Sequence, residues 1–125
     1  MRILAPISLG ELIDKITILE LKQELITDTA KLENINNELD ELNAILKTLL
    51  IQPFPQSQRE ALKAVNRDLW HIENFKRECE GNGRFDRAFI EAGREVYLKN
   101  DLRAKIKREI NVLTGSAIVE EKSYK

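Results

Sequence analysis

The chain has 125 residues, of which 42% are hydrophobic and 33% are charged, and its formal net charge at neutral pH is −1. A chain of this size fits one domain, residues 1–125, and is short for a two-domain enzyme. The near-neutral charge argues against a dedicated nucleic-acid binder, and no apolar run approaches the roughly 20 residues that span a bilayer.

The first predicted helix spans residues 8–50. Ser8 and Glu11 have the spacing of a capping box, which is typical of a helix start. Apolar residues then recur at spacings of three and four, the heptad rhythm of helices that pack lengthwise. The weak helix formers at residues 27–29 allow a kink, but the pattern predicts one helix of about 60 Å. This first heptad seam consists of Asp14, Ile18, Leu21, Leu25, Asp28, Leu32, Ile35, Leu39, Leu42, Leu46 and Leu49.

A second helix is predicted over residues 57–80, after a linker that contains Pro53 and Pro55. Ser57 and Glu60 repeat the capping-box spacing at its start. Because the linker is short, this helix is expected to return antiparallel along the distal half of the first helix.

A third helix is predicted over residues 86–114, with Asp86 as its N-cap and a glycine at its end. The tail, residues 116–125, changes character, and short extended segments are predicted at residues 3–4 and 117–119. The expected fold class is therefore all-α: a three-helix antiparallel, coiled-coil-like bundle with a long first helix.

The first half of the long helix carries a second apolar stripe, on the side opposite the seam. Residues 9–26 therefore need apolar partners on two sides, whereas residues 32–49 need a partner on one. Since helix three can cover only one of the two sides, the pattern predicts a homodimer in which a second copy covers the other. The alternative is a monomer in which helix three and the tail wrap both sides. The second stripe consists of Leu9, Leu12, Ile13, Ile16, Leu19 and Ile26.

Charged residues occupy core positions of two helices. Asp14 and Asp28 lie in the first heptad seam, and Lys99 and Arg103 lie in the seam of helix three. A carboxylate in an apolar seam needs a partner, so we expect an aspartate to pair with one of these cations. Such a pair is either a device that sets helix register or part of a polar pocket. The pocket would be lined by Asp14, Lys15, Asn100, Asp101, Arg103 and Lys107.

Signals of catalysis are missing from the sequence. It contains no nucleophile motif, no phosphate-binding glycine loop and no metal-binding motif. Cys79 is the single cysteine and His71 the single histidine, so neither a disulfide nor a di-iron site is expected. We predict no catalytic residue, metal or cofactor. The first residues also lack the apolar run of a secretory signal, which favours a cytoplasmic protein.

The segment 11–19 resembles the first helix of the all-helical chorismate mutases, which are dimers of three helices, one of them very long. The resemblance implies an enzyme in which arginine and lysine side chains hold a dicarboxylate. Here the first helix has no arginine, and Lys15, Lys22 and Lys31 do not reproduce the usual arrangement.

A second resemblance covers essentially the whole chain. The segments PISLGELIDKITILE at 6–20, NDLRAKIKREIN at 100–111 and EEKSY at 120–124 are similar to a family of small bacterial and phage helical proteins of unknown function. The resemblance implies no activity. It indicates a polar site made of Asp14, Lys15, Asn100, Asp101, Arg103, Lys122, Ser123 and Tyr124.

These observations favour a non-enzymatic interaction or assembly module that forms a homodimer and can bind an unidentified protein partner. Neither a nucleic acid nor a membrane is expected as a partner. The first alternative is a small-ligand or anion binder that uses the polar cluster between helices. The second is an enzyme of the helical-mutase type.

Overall fold

The described part of the chain, residues 1–116 and residue 121 of a computed structural model, contains four helices and no strand. These are α1 (Leu9–Leu25), α2 (Thr29–Thr48), α3 (Gln56–Gly81) and α4 (Arg87–Thr114). The all-helical prediction is confirmed for these residues, but the three-helix bundle is wrong. Residues 3–4 form no strand, and 117–119 lie outside the described residues.

The predicted long helix is interrupted at residues 26–28. Ile26 is extended, with φ −94° and ψ 135°, although its N–H still donates to the carbonyl of Lys22. Asp28 is also extended, and its carboxylate accepts a hydrogen bond of 2.9 Å from the backbone N–H of Lys31. An aspartate that caps a new helix satisfies backbone donors locally and so competes with continuation of the old one. Asp28 is thus an N-cap and not a seam residue.

Helix α2 turns back antiparallel along α1. Near the turn, the Gln23 amide donates to the side-chain oxygen of Asn36 over 2.9 Å, and at the far end Arg2 forms an ion pair with Glu41. Of the four described helices, α2 packs closely only on α1. The apolar cluster between them consists of Leu12, Ile16, Leu19, Ile35 and Leu39.

Helix α3 runs parallel to α1 on its other side. Arg59 contacts Glu20 at 3.3 Å, and Arg67 contacts Glu24 at 2.9 Å. The residue numbers of the contacting positions therefore increase in the same direction along both helices. The expectation that this helix lies along the distal half of the first was therefore wrong, because α2 occupies a different side of α1. The helix starts after Pro55, not at a Ser57 cap.

Helix α4 runs antiparallel to both α1 and α3. It begins at Asp86, whose carboxylate accepts from the Phe89 N–H; hydrogen bonds from Arg84 and from that N–H hold the pKa of Asp86 below its ordinary value. It ends at Gly115 in the left-handed conformation. The second apolar cluster joins three helices and consists of Ile13, Leu62, Val65, Ile106 and Ile110.

Helix α1 is therefore the central element, with both of its apolar sides covered inside the chain. Leu12 and Ile16 face α2, while Ile13 faces α3 and α4. The second stripe is shared between these partners, because Leu12, Ile16 and Leu19 pack on α2 and Ile13 packs on α3 and α4. None of the described helices is long and apolar enough to cross a bilayer.

Candidate functional site

The junction of α1, α3 and α4 holds a charged pair in an otherwise apolar interior. Asp14 is completely buried, and the Arg103 side chain is 29% exposed. The Arg103 guanidinium donates twice to the carboxylate, from Nε to Oδ1 over 3.0 Å and from Nη2 to Oδ2 over 2.5 Å. Such two-point geometry sets both distance and orientation between α1 and α4.

Two neutral polar residues complete this arrangement. The Asn66 side-chain amide donates to Asp14 Oδ1 over 2.9 Å and to Thr17 Oγ1 over 3.0 Å, and the Thr17 hydroxyl donates to the Asp14 carbonyl over 2.8 Å. Among the described residues, no buried side-chain nitrogen or oxygen lacks a hydrogen-bond partner. We refer to Asp14, Thr17, Asn66 and Arg103 as the buried polar cluster.

Asp14 stabilises the charged form of Arg103. Its hydrogen bonds to Asp14 raise the pKa of the Arg103 guanidinium above the ordinary value, against the opposing effect of burial, and the attraction to the Asp14 charge adds to the rise. Breaking one side of a buried pair leaves the other charge without compensation. The cluster links α1, α3 and α4 through hydrogen bonds between their side chains.

A second set of contacts joins the start of α1 to the end of α4. The Asn111 side-chain oxygen accepts from the Gly10 N–H over 2.7 Å, and the Ser8 hydroxyl oxygen accepts from the Glu11 N–H over 3.1 Å. Lys107 pairs with Glu11 at 2.5 Å. The Asn111 and Ser8 side-chain oxygens satisfy backbone N–H groups that a helix start leaves without partners. The cap from Asn111 comes from a different helix.

Gly10 lies where the backbones of α1 and α4 are in close contact. A Cβ at this position would lie 2.5 Å from the backbone carbonyl oxygen of Lys107 and 3.0 Å from the Asn111 side-chain oxygen. Only glycine fits this crossing without a shift of backbone.

A cleft of about 390 Å³ opens beside the buried polar cluster, between α1 and α3. Arg103 forms part of its wall, so the cleft reaches the charged pair. The apolar part of the wall consists of Ile18, Leu21, Leu69 and Trp70.

The structure brings some of the predicted polar residues together and separates others. Asp14 and Arg103 are paired, whereas Asp28 caps α2 and Lys99 pairs with Asp68 at 3.0 Å. Lys15 is exposed, 3.8 Å from Glu11.

Three further residues of the predicted polar pocket lie on α4. Lys107 is one turn from Arg103 and belongs to the contacts at the helix start. Asn100 is half-buried and Asp101 is exposed, and neither lines the cleft. Lys122, Ser123 and Tyr124 lie outside the described residues.

Sequence reasoning missed Thr17, Asn66 and Asn111. Thr17 follows Asp14 by three residues, and Asn66 is the polar neighbour of Val65 in an apolar seam; both positions are signals of an interhelical contact. Asn111 carries no such signal, because its partner is a backbone N–H of another helix.

The site offers Arg103 as a binding group, but the Thr17 hydroxyl is occupied by hydrogen bonds to Asp14 and Asn66. Within residues 1–116 and residue 121, no group of three or more His, Cys, Asp and Glu side chains could hold a metal ion. The resemblance to helical chorismate mutases rested on the segment 11–19 and on an architecture with one very long helix. That helix is broken at residues 26–28, so this alternative is not carried forward.

Comparison with protein-family models matches residues 3–125 to a family of unknown function, DUF6165. Comparisons with curated proteins and with solved structures gave no match.

Proposed function

The chain belongs to DUF6165, a family of unknown function, and from the surfaces of this member we propose a non-enzymatic interaction module that assembles as a homodimer. The observation that carries the proposal is an apolar face of α4 that no other described helix covers. We call it the outer α4 face; it consists of Ile90, Tyr97, Leu98 and Leu102.

The exposure of this face is high for large apolar side chains. The exposed fractions are 58% for Ile90, 54% for Tyr97, 49% for Leu98 and 41% for Leu102. At about 100° per residue, Ile90 and Tyr97 lie opposite the buried side of the same helix, which Ile106 and Ile110 mark. Leu98 and Leu102 lie between the two sides. Large apolar side chains exposed together on one helix favour association with another protein surface.

The charges on the outer α4 face favour a second copy as the partner. Arg94 and Asp101 lie at equal sequence distances on either side of the Tyr97–Leu98 step, and Arg94 also pairs with Glu91 on its own helix at 3.3 Å. If two α4 helices pack antiparallel about a two-fold axis at this step, Arg94 of one copy lies beside Asp101 of the other, twice. Opposite charges then flank the apolar centre of the interface.

The homodimer in this proposal differs from the one expected from the helical stripes. That expectation required a second copy over α1, where α2 now lies. The proposal also places the protein in the cytoplasm, where the buried single thiol of Cys79 would remain reduced.

Light scattering coupled to size exclusion tests the proposal. We expect twice the 14.4 kDa chain mass for the unmodified protein and a single chain mass for Leu98→Glu, which places a charge at the centre of the outer α4 face. The matched control is Leu4→Glu, the same substitution at a residue that is 82% exposed but belongs to the N-terminal segment. It should leave the dimer intact.

A single chain mass for the unmodified protein at micromolar concentration would contradict the proposal. A dimer that Leu4→Glu dissociates and Leu98→Glu does not would show that another surface mediates assembly.

A further inference from the structure

The cleft beside the buried polar cluster is lined by apolar and cationic side chains, as many ligand sites are. This feature does not depend on the proposed homodimer. Its volume of about 390 Å³ lies in the range of small-molecule sites. Its apolar lining includes Leu21, Leu69 and the indole ring of Trp70. Two guanidinium groups, Arg77 and Arg103, also line it.

These cations have unused hydrogen-bond donors. Arg77 is exposed and forms no hydrogen bond or ion pair with any described residue. Arg103 uses Nε and Nη2 for Asp14, which leaves Nη1 without a described partner. The indole N–H of Trp70 also has no acceptor among the described residues. Every one of these groups is a donor, so the complementary ligand must supply acceptors.

The charge of the cleft favours an anion. Arg103 is paired with Asp14, and the wall carboxylate, Glu73, lies 3.5 Å from Lys76, whereas Arg77 has no described counter-ion. Three cations and two carboxylates leave a net charge of +1 at the cleft. Arginine binds carboxylate and phosphate groups through parallel hydrogen bonds, and its planar group also packs on aromatic rings.

We propose that the cleft between α1 and α3 binds a small organic anion that joins a planar apolar body to a carboxylate or phosphate group. The apolar body packs against Trp70 and Leu69, and the anionic group receives hydrogen bonds from Arg77 and from Nη1 of Arg103. The pairing of Arg103 with Asp14 holds that guanidinium in place before the ligand arrives, so little of its side-chain entropy is lost on binding.

The single tryptophan gives a direct measurement. Trp70 is the only tryptophan in the chain, so its emission reports on the cleft wall alone. The probes are phenylacetate and phenyl phosphate, with benzyl alcohol as an uncharged aromatic and inorganic phosphate as an anion without an apolar body. We expect a saturable change in emission with at least one aromatic anion, and affinities at least about tenfold weaker for benzyl alcohol and inorganic phosphate.

Variants assign the signal to the cleft. Arg77→Ala should weaken binding of the aromatic anion by about tenfold or more, because it removes a charge-assisted donor that has no structural contact. Arg87→Ala, the same change at an exposed arginine at the start of α4, should bind like the unmodified protein. Glu73→Gln should strengthen binding several-fold, since it removes the one carboxylate from the wall.

The preferred head group follows from comparing the two aromatic anions. The proposal is overturned if neither of them gives a saturable change, if benzyl alcohol or inorganic phosphate binds as tightly, or if Arg77→Ala and Arg87→Ala bind alike. The thermal midpoint of each variant shows whether the fold is retained, and Arg77 and Arg87 are both exposed residues whose replacement should leave it unchanged.

Discussion

At the residue scale, Asp14 is a carboxylate with no solvent exposure, and its neighbours explain how it can be there. It accepts hydrogen bonds from Arg103 and Asn66, so its charge is compensated and its oxygens are occupied. An uncompensated buried charge would be costly, whereas here hydrogen bonds from α3 and α4 compensate it.

Asp14→Asn should destabilise the protein. The substitution removes the negative charge, presents an amide to Arg103 and leaves a cation partly buried, which should lower the free energy of unfolding by about 3 kcal/mol. Urea denaturation measures the change. Asp40→Asn, the same substitution at an exposed position of α2, should stay within about 0.5 kcal/mol of the unmodified protein. Equal stabilities for the two variants would show that the buried pair contributes nothing to the fold.

Two glycine-to-alanine substitutions should have opposite signs. Gly10→Ala places a Cβ 2.5 Å from the Lys107 carbonyl oxygen, and the backbone shift this requires should cost about 1–3 kcal/mol. Gly93→Ala adds a Cβ within α4 where no atom lies within 4 Å, so higher helix propensity should stabilise by about 0.5–1 kcal/mol. Thermal and urea unfolding of both variants test the pair. A neutral Gly10→Ala would mean that α1 and α4 do not cross closely there.

At the element scale, the break at residues 26–28 converts one predicted rod into a helical hairpin. Ile26 ends α1 in an extended conformation, and Asp28 starts α2 with a side-chain cap. The hairpin lets α2 cover the apolar side of α1 that faces away from α3 and α4. The turn therefore replaces the second copy that a continuous helix would have required.

Asp28→Ala should remove the cap of α2 and lower the free energy of unfolding by about 1 kcal/mol. Asp28→Asn is the matched control, because asparagine caps helices as well as aspartate and should keep nearly all of the stability. Urea denaturation of the two variants gives the comparison. If both lose the same amount, the charge of Asp28 matters and its hydrogen bond to the Lys31 N–H does not.

At the scale of the whole molecule, the four described helices are not equivalent. Helix α1 contacts each of the other three, whereas α2 packs closely on α1 alone. Local openings separate elements that have few neighbours before they disturb the central one. The free energy of local opening should therefore differ between the helices, and it should be higher for α1 than for α2.

Native-state hydrogen exchange tests this gradient. The amides of Ile13 and Ile16 in α1 should exchange only through global unfolding, while amides in the middle of α2, such as those of Glu38 and Leu39, should open at a lower free energy. Low concentrations of guanidinium chloride separate the two classes. One common free energy for α1 and α2 would mean that the hairpin opens only together with the rest of the bundle.

Local patterns account for the parts of the fold and site that the sequence predicted. Ser8 and Asp86 each have a side chain and a spacing that define a helix start, and both cap helices in the structure. Asp14 and Arg103 were recognisable because a charge at an apolar position needs a partner. Asn111 was not, since its partner is a backbone N–H of another helix and its role depends on which helices meet.

The sequence alone determined the helical composition, the starts of α1 and α4, and the need of residues 9–26 for apolar partners on two sides. Only the tertiary structure decided that α2 supplies one of those partners. The three-four spacing continues through residues 26–28, so apolar periodicity cannot distinguish one long helix from two that fold back on each other. The outcome depends on a balance: the Asp28 cap and the burial of Leu12 and Ile16 against α2 outweigh the few hydrogen bonds of a continuous helix.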